Sequence, residues 1–514
     1  MKTKKLINIL LSGLLVAFWL SGCTNDFKEI NTNQRVLAQI DAATVGNEYA
    51  SAEYNGLLYG GYSWQIAENL FSDLYVQYYS DWQTKFQTDR HNQNTDWSDA
   101  AWTTFYGGAG KDLAVVLQKT KGPGFEKQHA LAQILKVYFY QRFTDYWGPI
   151  PYSQVNNNKR SVPYDSQQTI YTDFFVQLDS VATTLAAYPG ENAYGANDQI
   201  YGGDVNKWIT FANTLRLRVA MRLAKVDPAT AKAQAEKAVA AGVMLTNADV
   251  AKLTVTSASP NPLPIMLPWN EFRMSATMES ILKGFADPRL SAYWKPAVTT
   301  GLYTGMRNGL SVPEISAPSR AYDNISTMAL RWSDPTNLDK TPWEVMMPAE
   351  AYFLRAEGAL RGWNMGITAQ DAYNKGIEMS LKYWVTGITD AQIAAYQTGT
   401  TTPIALPDFN TPPQSDLTVL WNPARGMEQI MTQKWLGLFP DGWEAWAENR
   451  RTDFPTLYPV VHSDDPAVPP NALMRRIIYG SSEYNNNATA VADGVSKLGG
   501  PDKSETRLWW NPAK

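Results

Sequence analysis

Between residues 82 and 97 the chain gathers Trp82, Phe86, Asp89, Arg90, His91, Asn92, Gln93, Asn94, Asp96 and Trp97 in one polar stretch without helical periodicity. These residue types suit one kind of chemistry. An aromatic face takes the C–H face of a sugar ring, while amide, carboxylate and guanidinium groups take its hydroxyl rim. A second set follows in a long middle insert: Trp269, Asn270, Arg273, Tyr303, Arg307, Asn308, Tyr322 and Trp332. If the two sets face one surface, the candidate ligand-binding residues are Trp82, Phe86, Arg90, Asn92, Trp97, Trp269, Tyr303, Tyr322 and Trp332. Each aromatic also has a plainer role open to it, as a staple packing under its own loop. Trp82 and Trp97 cannot be ranked by spacing alone. No catalytic residue is assigned. Carboxylates are plentiful, but no pair is marked by spacing as acid and base. No G-x-S-x-G, P-loop or G-x-G-x-x-G is present.

The counts exclude further classes. Of 514 residues, 45 are Lys or Arg and 49 are Asp or Glu, a formal charge of −4. Interspersed charge of this sign carries no footprint for nucleic acid. The one cysteine, Cys23, makes no intramolecular disulfide and no thiolate zinc site. His91, His129 and His462 are too scattered for a metal pair. No cofactor or metal is indicated, and a structural Ca²⁺ in an acidic loop is left open. At 44% hydrophobic and 18% charged residues the chain is globular rather than disordered.

The start of the chain reads as an address. Lys2, Lys4 and Lys5 precede an apolar run over 6–20 that is broken only by Asn8 and Ser12. That run is short for a membrane span but suits a secretory leader. It ends in Leu20-Ser21-Gly22-Cys23, the pattern of a bacterial lipobox. The only thiol therefore stands where a diacylglycerol would be attached, and several acyl chains hold a protein on a membrane stably. The expected organisation is a signal peptide over 1–22 and one body over 23–514, tethered by the polar stretch 24–33. Losing three lysines with the leader moves the charge from −4 to −7.

The body reads as helices joined by long loops. Apolar residues recur at i, i+3 and i+4 over 66–79, 102–119, 126–146, 167–187, 206–224 and 230–241, then over 348–361, 369–384, 391–396, 426–439 and 443–450. Asp165 or Ser166 can cap the helix at Gln167, Asp227-Pro228 opens the next but one, and Gly242 closes it. Loop-rich insertions are expected at about 254–345 and 399–420, with a few short strands inside them. Ala231, Ala235 and Ala238, and again Ala369, Tyr373 and Gly376, repeat the small-residue spacing of tetratricopeptide helix pairs. The fold class is thus mostly α. Trp102, Tyr106, Trp208, Trp343, Trp384, Trp435, Trp443 and Trp446 fall on helical faces and are assigned to the core. Trp509-Trp510 is assigned to docking the tail.

Several segments, in order, resemble the SusD/RagB family of surface lipoproteins. They are the lipobox, Phe27–Asn33 (FKEINTN), and Thr144-Asp145-Tyr146-Trp147-Gly148-Pro149-Ile150-Pro151-Tyr152-Ser153. Further along come Tyr164-Asp165-Ser166-Gln167, Trp208–Arg222 (WITFANTLRLRVAMR), Asp287-Pro288-Arg289 and the block around Ala349–Glu357. Ile430–Trp435, Glu444-Ala445-Trp446 and Arg450-Arg451-Thr452-Asp453-Phe454-Pro455 complete the set. Phe143 stands where leucine is usual, and Trp147 separates Tyr146 from Gly148. The resemblance implies a SusD-like fold and a non-enzymatic protein, lipid-anchored on the outer membrane and facing the cell exterior. It implies a glycan or oligosaccharide ligand, and delivery to a partner SusC-type TonB-dependent transporter. In this family the connection matching 82–97 carries a ligand-stacking tryptophan. The alternatives are a peptide-import lipoprotein of the same family and an all-α glycoside hydrolase. Arg450 and Arg451 could form an anion clamp; the plainer expectation pairs them with Glu444 and Glu448.

Overall fold

The structure, a computed structural model, describes residues 44–155 and 161–513, and from Gly46 onward they form one compact unit. The leader, Cys23 and the tether lie outside the described residues. The chain is mostly helical. The longer helices are α1 (Thr44–Leu58), α2 (Thr95–Gly107), α3 (Ala109–Lys119), α4 (Glu126–Trp147), α5 (Gln167–Leu185), α6 (Val205–Arg222) and α7 (Pro228–Ala241). They continue as α8 (Ala276–Gly284), α9 (Pro348–Leu360), α10 (Ala369–Trp384), α11 (Asp390–Gln397), α12 (Gly426–Leu438), α13 (Gly442–Thr452) and α14 (Ala488–Ser496). Four short strands pair as two antiparallel ribbons, β1 (Tyr79–Asp81) with β3 (Phe272–Met274) and β2 (Ala251–Leu253) with β4 (Trp343–Met346). Among the described residues, no helix is long and apolar enough to cross a membrane.

Local chemistry sets the helix ends. Ser166 accepts from the Thr169 amide and starts α5. Asp227 accepts from Thr230 N–H and precedes Pro228, whose missing N–H costs nothing in a first turn. Gly242 ends α7 at φ 98°, a left-handed conformation that other residues resist.

Consecutive helices pack as pairs, α4 on α5, α6 on α7 and α9 on α10. Small residues permit the approach. Ala231, Ala235 and Ala238 are fully buried on α7. At Gly376 on α10 an added Cβ would lie 2.6 Å from the Phe353 ring of α9.

Two helix expectations change. The 66–79 periodicity becomes a π-helix, Gln65–Asp73, followed by strand β1. The wider π winding turns Glu68, Asn69 and Asp73 inward together. The 102–119 expectation splits into α2 and α3 at Gly107-Gly108, and α2 begins earlier, at Thr95.

The core between the pairs is dense in charge. Arg222 on α6 is paired with Asp145 at 3.1 Å, with Glu444 at 2.7 Å and with Glu448. Arg451 bonds both oxygens of Glu357 at 2.7 and 2.6 Å, and Glu448 at 2.7 Å. Lys434 reaches Glu448 at 3.0 Å, and Arg218 forks onto Glu350 at 2.7 and 2.6 Å. Bidentate, buried pairs of this kind are costly to break on one side. The expectation for the double arginine needs correction. Arg451 takes Glu357 and Glu448, but Arg450 makes no ion pair among the described residues. Its guanidinium lies 3.6 Å from the Trp446 ring centroid and donates to the carbonyls of Asp145 and Arg475. Burial lowers the Arg450 pKa to about 9. The eight residues assigned to the core are buried except Tyr106, which keeps partial exposure. Trp510 docks the tail beneath Arg222 and Arg450.

Candidate functional site

The ribbon β1–β3 joins the two sequence sets. Tyr79 pairs with Met274, Ser80 with Arg273 and Asp81 with Phe272. Beyond the ribbon the Trp82 amide still donates to the Glu271 carbonyl at 2.9 Å. Residues almost two hundred positions apart thus share one edge, with Trp82 on one strand exit and Trp269 on the other strand entry.

Trp269 ends a 3-10 turn, Leu267–Trp269, and is followed by Asn270 at φ 60°. This turn leaves its indole 41% exposed, the most exposed tryptophan among the described residues. Its partner is Tyr62, 64% exposed. The two rings are nearly parallel, 7° apart in plane with centroids 6.2 Å apart. Tyr62 is presented by a turn after α1 in which Tyr59, Gly60 and Gly61 all have positive φ. Parallel aromatic faces left open to water form a platform for an apolar ring face.

Polar groups border the platform. Glu271 accepts from Gln65 and from the Lys85 ammonium, the latter at 2.6 Å. Gln83 donates to the Asn270 carbonyl at 3.4 Å. Trp82 is half-buried. Its Nε1–H donates to the Arg320 carbonyl at 2.9 Å, and its ring meets Tyr322 edge-on at 5.8 Å. Under Tyr322 lies the Arg273 guanidinium, 4.2 Å from the ring centroid and bonded to Asn270 Oδ1 at 3.2 Å. Burial lowers the Arg273 pKa to about 10. Trp82 and Tyr322 are therefore in contact, with ring orientations fixed by the Arg320 carbonyl and the Arg273 guanidinium, and Trp269 stands near the adjoining strand entry.

A second feature adjoins it. An open cleft of about 370 Å³ is lined by Lys85, Gln87, Asn92, Gln93, Asn94 and Trp97. Asn94 caps α2, accepting from the Asp96 and Trp97 amides, so Trp97 stands in a helix's first turn rather than at the end of a loop. Asn92 is exposed and donates to Gln87 Oε1 at 2.7 Å.

Three expected site residues do other work. Trp332 is fully buried, 5.4 Å from Trp384 and 5.7 Å from Phe439 between ring centroids, and is core. Its short helix turns the indole inward, which loop position in the sequence cannot reveal. Phe86 is buried with its ring edge-on to Trp97 at 5.4 Å, supporting that indole from below. Arg90 is tied to Asp464 at 2.9 Å and donates to the Leu310 carbonyl, so it anchors a later loop. Tyr303 is half-buried on the 297–304 turn, its carbonyl accepting from Lys283 at 3.3 Å. Tyr62 was missed by sequence reasoning. The signal was present in the Gly60-Gly61 turn, but Tyr62 stands next to a helical pattern that draws aromatics into the core.

Among the described residues no cluster of His, Cys, Asp and Glu could hold a metal ion. The protein is thus a paired-helix scaffold carrying open aromatic rings and amides on irregular loops. Residues 29–511 match the SusD-like family, described as SusD and RagB outer membrane lipoproteins, and the chain belongs to that family of nutrient-binding lipoproteins. A chitin-binding SusD homologue from Flavobacterium johnsoniae is 36% identical, with a TM-score of 0.84 over 91% of this chain and 99% of its own. A SusD homologue from Bacteroides uniformis is 31% identical, with a TM-score of 0.82 over 92% of this chain and 100% of its own. One from Bacteroides thetaiotaomicron is 30% identical, with a TM-score of 0.82 over 91% and 99%. No curated protein matches significantly.

Proposed function

We propose that this protein binds a glycan on the Tyr62–Trp269 platform and passes it to a SusC-type TonB-dependent transporter while held to the outer membrane, facing outward, by lipid on Cys23. The observation that carries this reading is the near-parallel pair of open rings at Tyr62 and Trp269. Most of the other described tryptophans are buried, so exposing this one has a steady cost that a ligand would offset. Trp82, Tyr322 and the amide-lined cleft at Trp97 extend the surface to further sugar units, with rings for C–H faces and amides for hydroxyls. The chitin-binding homologue makes β-linked N-acetylglucosamine oligomers the first class to test. Binding without catalysis is favoured because Glu271, the carboxylate two residues from Trp269, is already taken up by Lys85 and Gln65.

Isothermal titration against chitin oligomers and a polysaccharide panel should show saturable binding, weakened roughly 30-fold in Trp269→Ala, and product analysis should show intact glycan. Release of shorter oligosaccharides, or binding to peptides alone, would overturn the reading. Cys23→Ala should leave the protein off the membrane, and detergent extracts of the native protein should contain an outer-membrane barrel.

A further inference from the structure

One more ring stands open on the loops of this protein. Phe409 is 42% exposed, the most exposed phenylalanine among the described residues. It sits in a tight turn between Leu406 and Thr411, where the Leu406 amide donates to the Thr411 carbonyl at 2.8 Å and the Thr411 amide returns the bond at 3.0 Å. The turn holds Phe409 at φ 58° and ψ 20°, and Asn410 at φ 48°. Left-handed backbone suits Gly, Asn or Asp and is costly for a bulky aromatic. Neither burial nor backbone preference accounts for a phenylalanine at this position.

The turn is nonetheless pinned. Thr411 Oγ1 donates to the Asp408 carbonyl and accepts from Arg307, both at 2.7 Å. Asp408 pairs with Arg320, which also donates to the Glu314 carbonyl at 2.9 Å. These bonds set the Arg320 guanidinium 4.5 Å from the Phe409 ring centroid. The ring thus rests on a cation that is itself held in place, and the rest of it is left to water. Tyr322 is mounted in the same way on Arg273, at 4.2 Å.

Arg320 also ties this ring to the candidate site. Its carbonyl accepts from Trp82 Nε1–H at 2.9 Å, and Trp82 meets Tyr322 edge-on. Phe409 is therefore one residue removed from the Trp82–Tyr322 pair. Asn410, next to it, is exposed and brings an amide to the same turn.

We infer that Phe409 is a further ligand-contact residue, a stacking face for a sugar unit beyond the one at Trp82 and Tyr322, and that it favours longer glycan chains over short ones. The inference rests on the reading that this surface binds glycan. Arg320 is already paired with Asp408, so the turn offers a ring face and an amide with no spare cation for an anionic ligand. A short ligand can occupy one mounted ring. A longer chain can occupy both, and its second contact forms at high effective concentration once the first is made.

The test compares two-unit and six-unit chitin, cello- and malto-oligosaccharides on the full chain, wild type and Phe409→Asn. Asparagine fits left-handed backbone, so the thermal midpoint of this variant should stay level or rise. By isothermal titration the six-unit ligand that the wild type binds should lose about 10-fold in affinity, while its two-unit counterpart, followed by saturation-transfer NMR, should change less than about 2-fold. Phe409→Tyr keeps the ring and should retain six-unit binding. Six-unit binding indifferent to Phe409→Asn would overturn the inference and leave the platform reading standing. A clear fall in the thermal midpoint would overturn it too, by making Phe409 a packing residue, and equal losses for both lengths would overturn the selection for long chains. Wild-type protein that binds none of the six-unit probes would overturn the platform reading and this inference with it, so the two failures read differently.

Discussion

The interior between α4, α6, α9 and α13 and the surface at the β1–β3 ribbon use the same side chains, arginine and tryptophan, in opposite ways. Inside, Arg222, Arg218 and Arg451 are paired with carboxylates and Trp443 stacks on Tyr146 with centroids 3.5 Å apart. At the surface, Arg273 supports a tyrosine ring, and Trp269 and Tyr62 lie open. The first region spends its polar valences on itself and gains one fixed arrangement. The second keeps ring faces and amides available, and they are what a ligand can use. Residue type does not separate the two regions; burial and ion pairing do.

The comparison breaks hardest at the lattice. Arg451→Ala leaves Glu357 and Glu448 buried beside a missing cation and should cost about 3–5 kcal/mol in chemical denaturation. A loss under about 1 kcal/mol would mean the lattice is not what holds the helix ends. Trp332→Ala and Trp269→Ala form the next contrast. The first should cost about 3–5 kcal/mol of stability as a core truncation. The second should stay within about 0.5 kcal/mol, yet weaken glycan binding by about 2 kcal/mol, roughly 30-fold. Equal stability losses would move Trp269 into the core and remove the platform.

The pH response sharpens the same comparison. Burial, countered in part by Arg142, pushes Glu68 up to about 8, whereas Arg222 and its neighbouring cations hold Glu444 below the usual carboxylate range. In the folded state Glu68 keeps a proton that the unfolded chain has lost, so stability should fall as pH rises from about 4.5 toward 8. The slope is up to about 1.4 kcal/mol per unit. Glu444 acts in the other direction, and its contribution is lost as pH falls below the unfolded carboxylate value. Maximum stability should therefore lie on the mildly acidic side, and Glu68→Gln should flatten the alkaline limb. An alkaline limb unchanged in Glu68→Gln would assign that slope to other groups. The smallest effect is at Trp82. Trp82→Phe keeps one ring, removes the bond to the Arg320 carbonyl and part of the packing against Met306, Leu310, Ile315 and Ile325, and should change stability and glycan affinity by about 1 kcal/mol each.

Much of the scaffold was legible because its signals are local. The caps at Ser166 and Asp227, the stop at Gly242 and the small residues of α7 act over a few positions and stand where periodicity puts them. The site was legible in part. Trp82 meets Tyr322 and Trp269 stands near the adjoining strand entry, while Trp332 went to the core and Tyr62 came out of a turn next to a helix. Loop aromatics have no period, so nothing local separates a staple from an open ring.

Sequence alone determined the helical scaffold, and the family through an ordered set of short blocks. Tertiary structure decided which rings stay open. It also decided that Arg450 stacks where Arg451 pairs, and that residues 82 and 271 meet at one edge. The reason is physical. Helix formation and capping depend on neighbours within a turn or two, whereas exposure depends on what the rest of the chain brings up against a side chain.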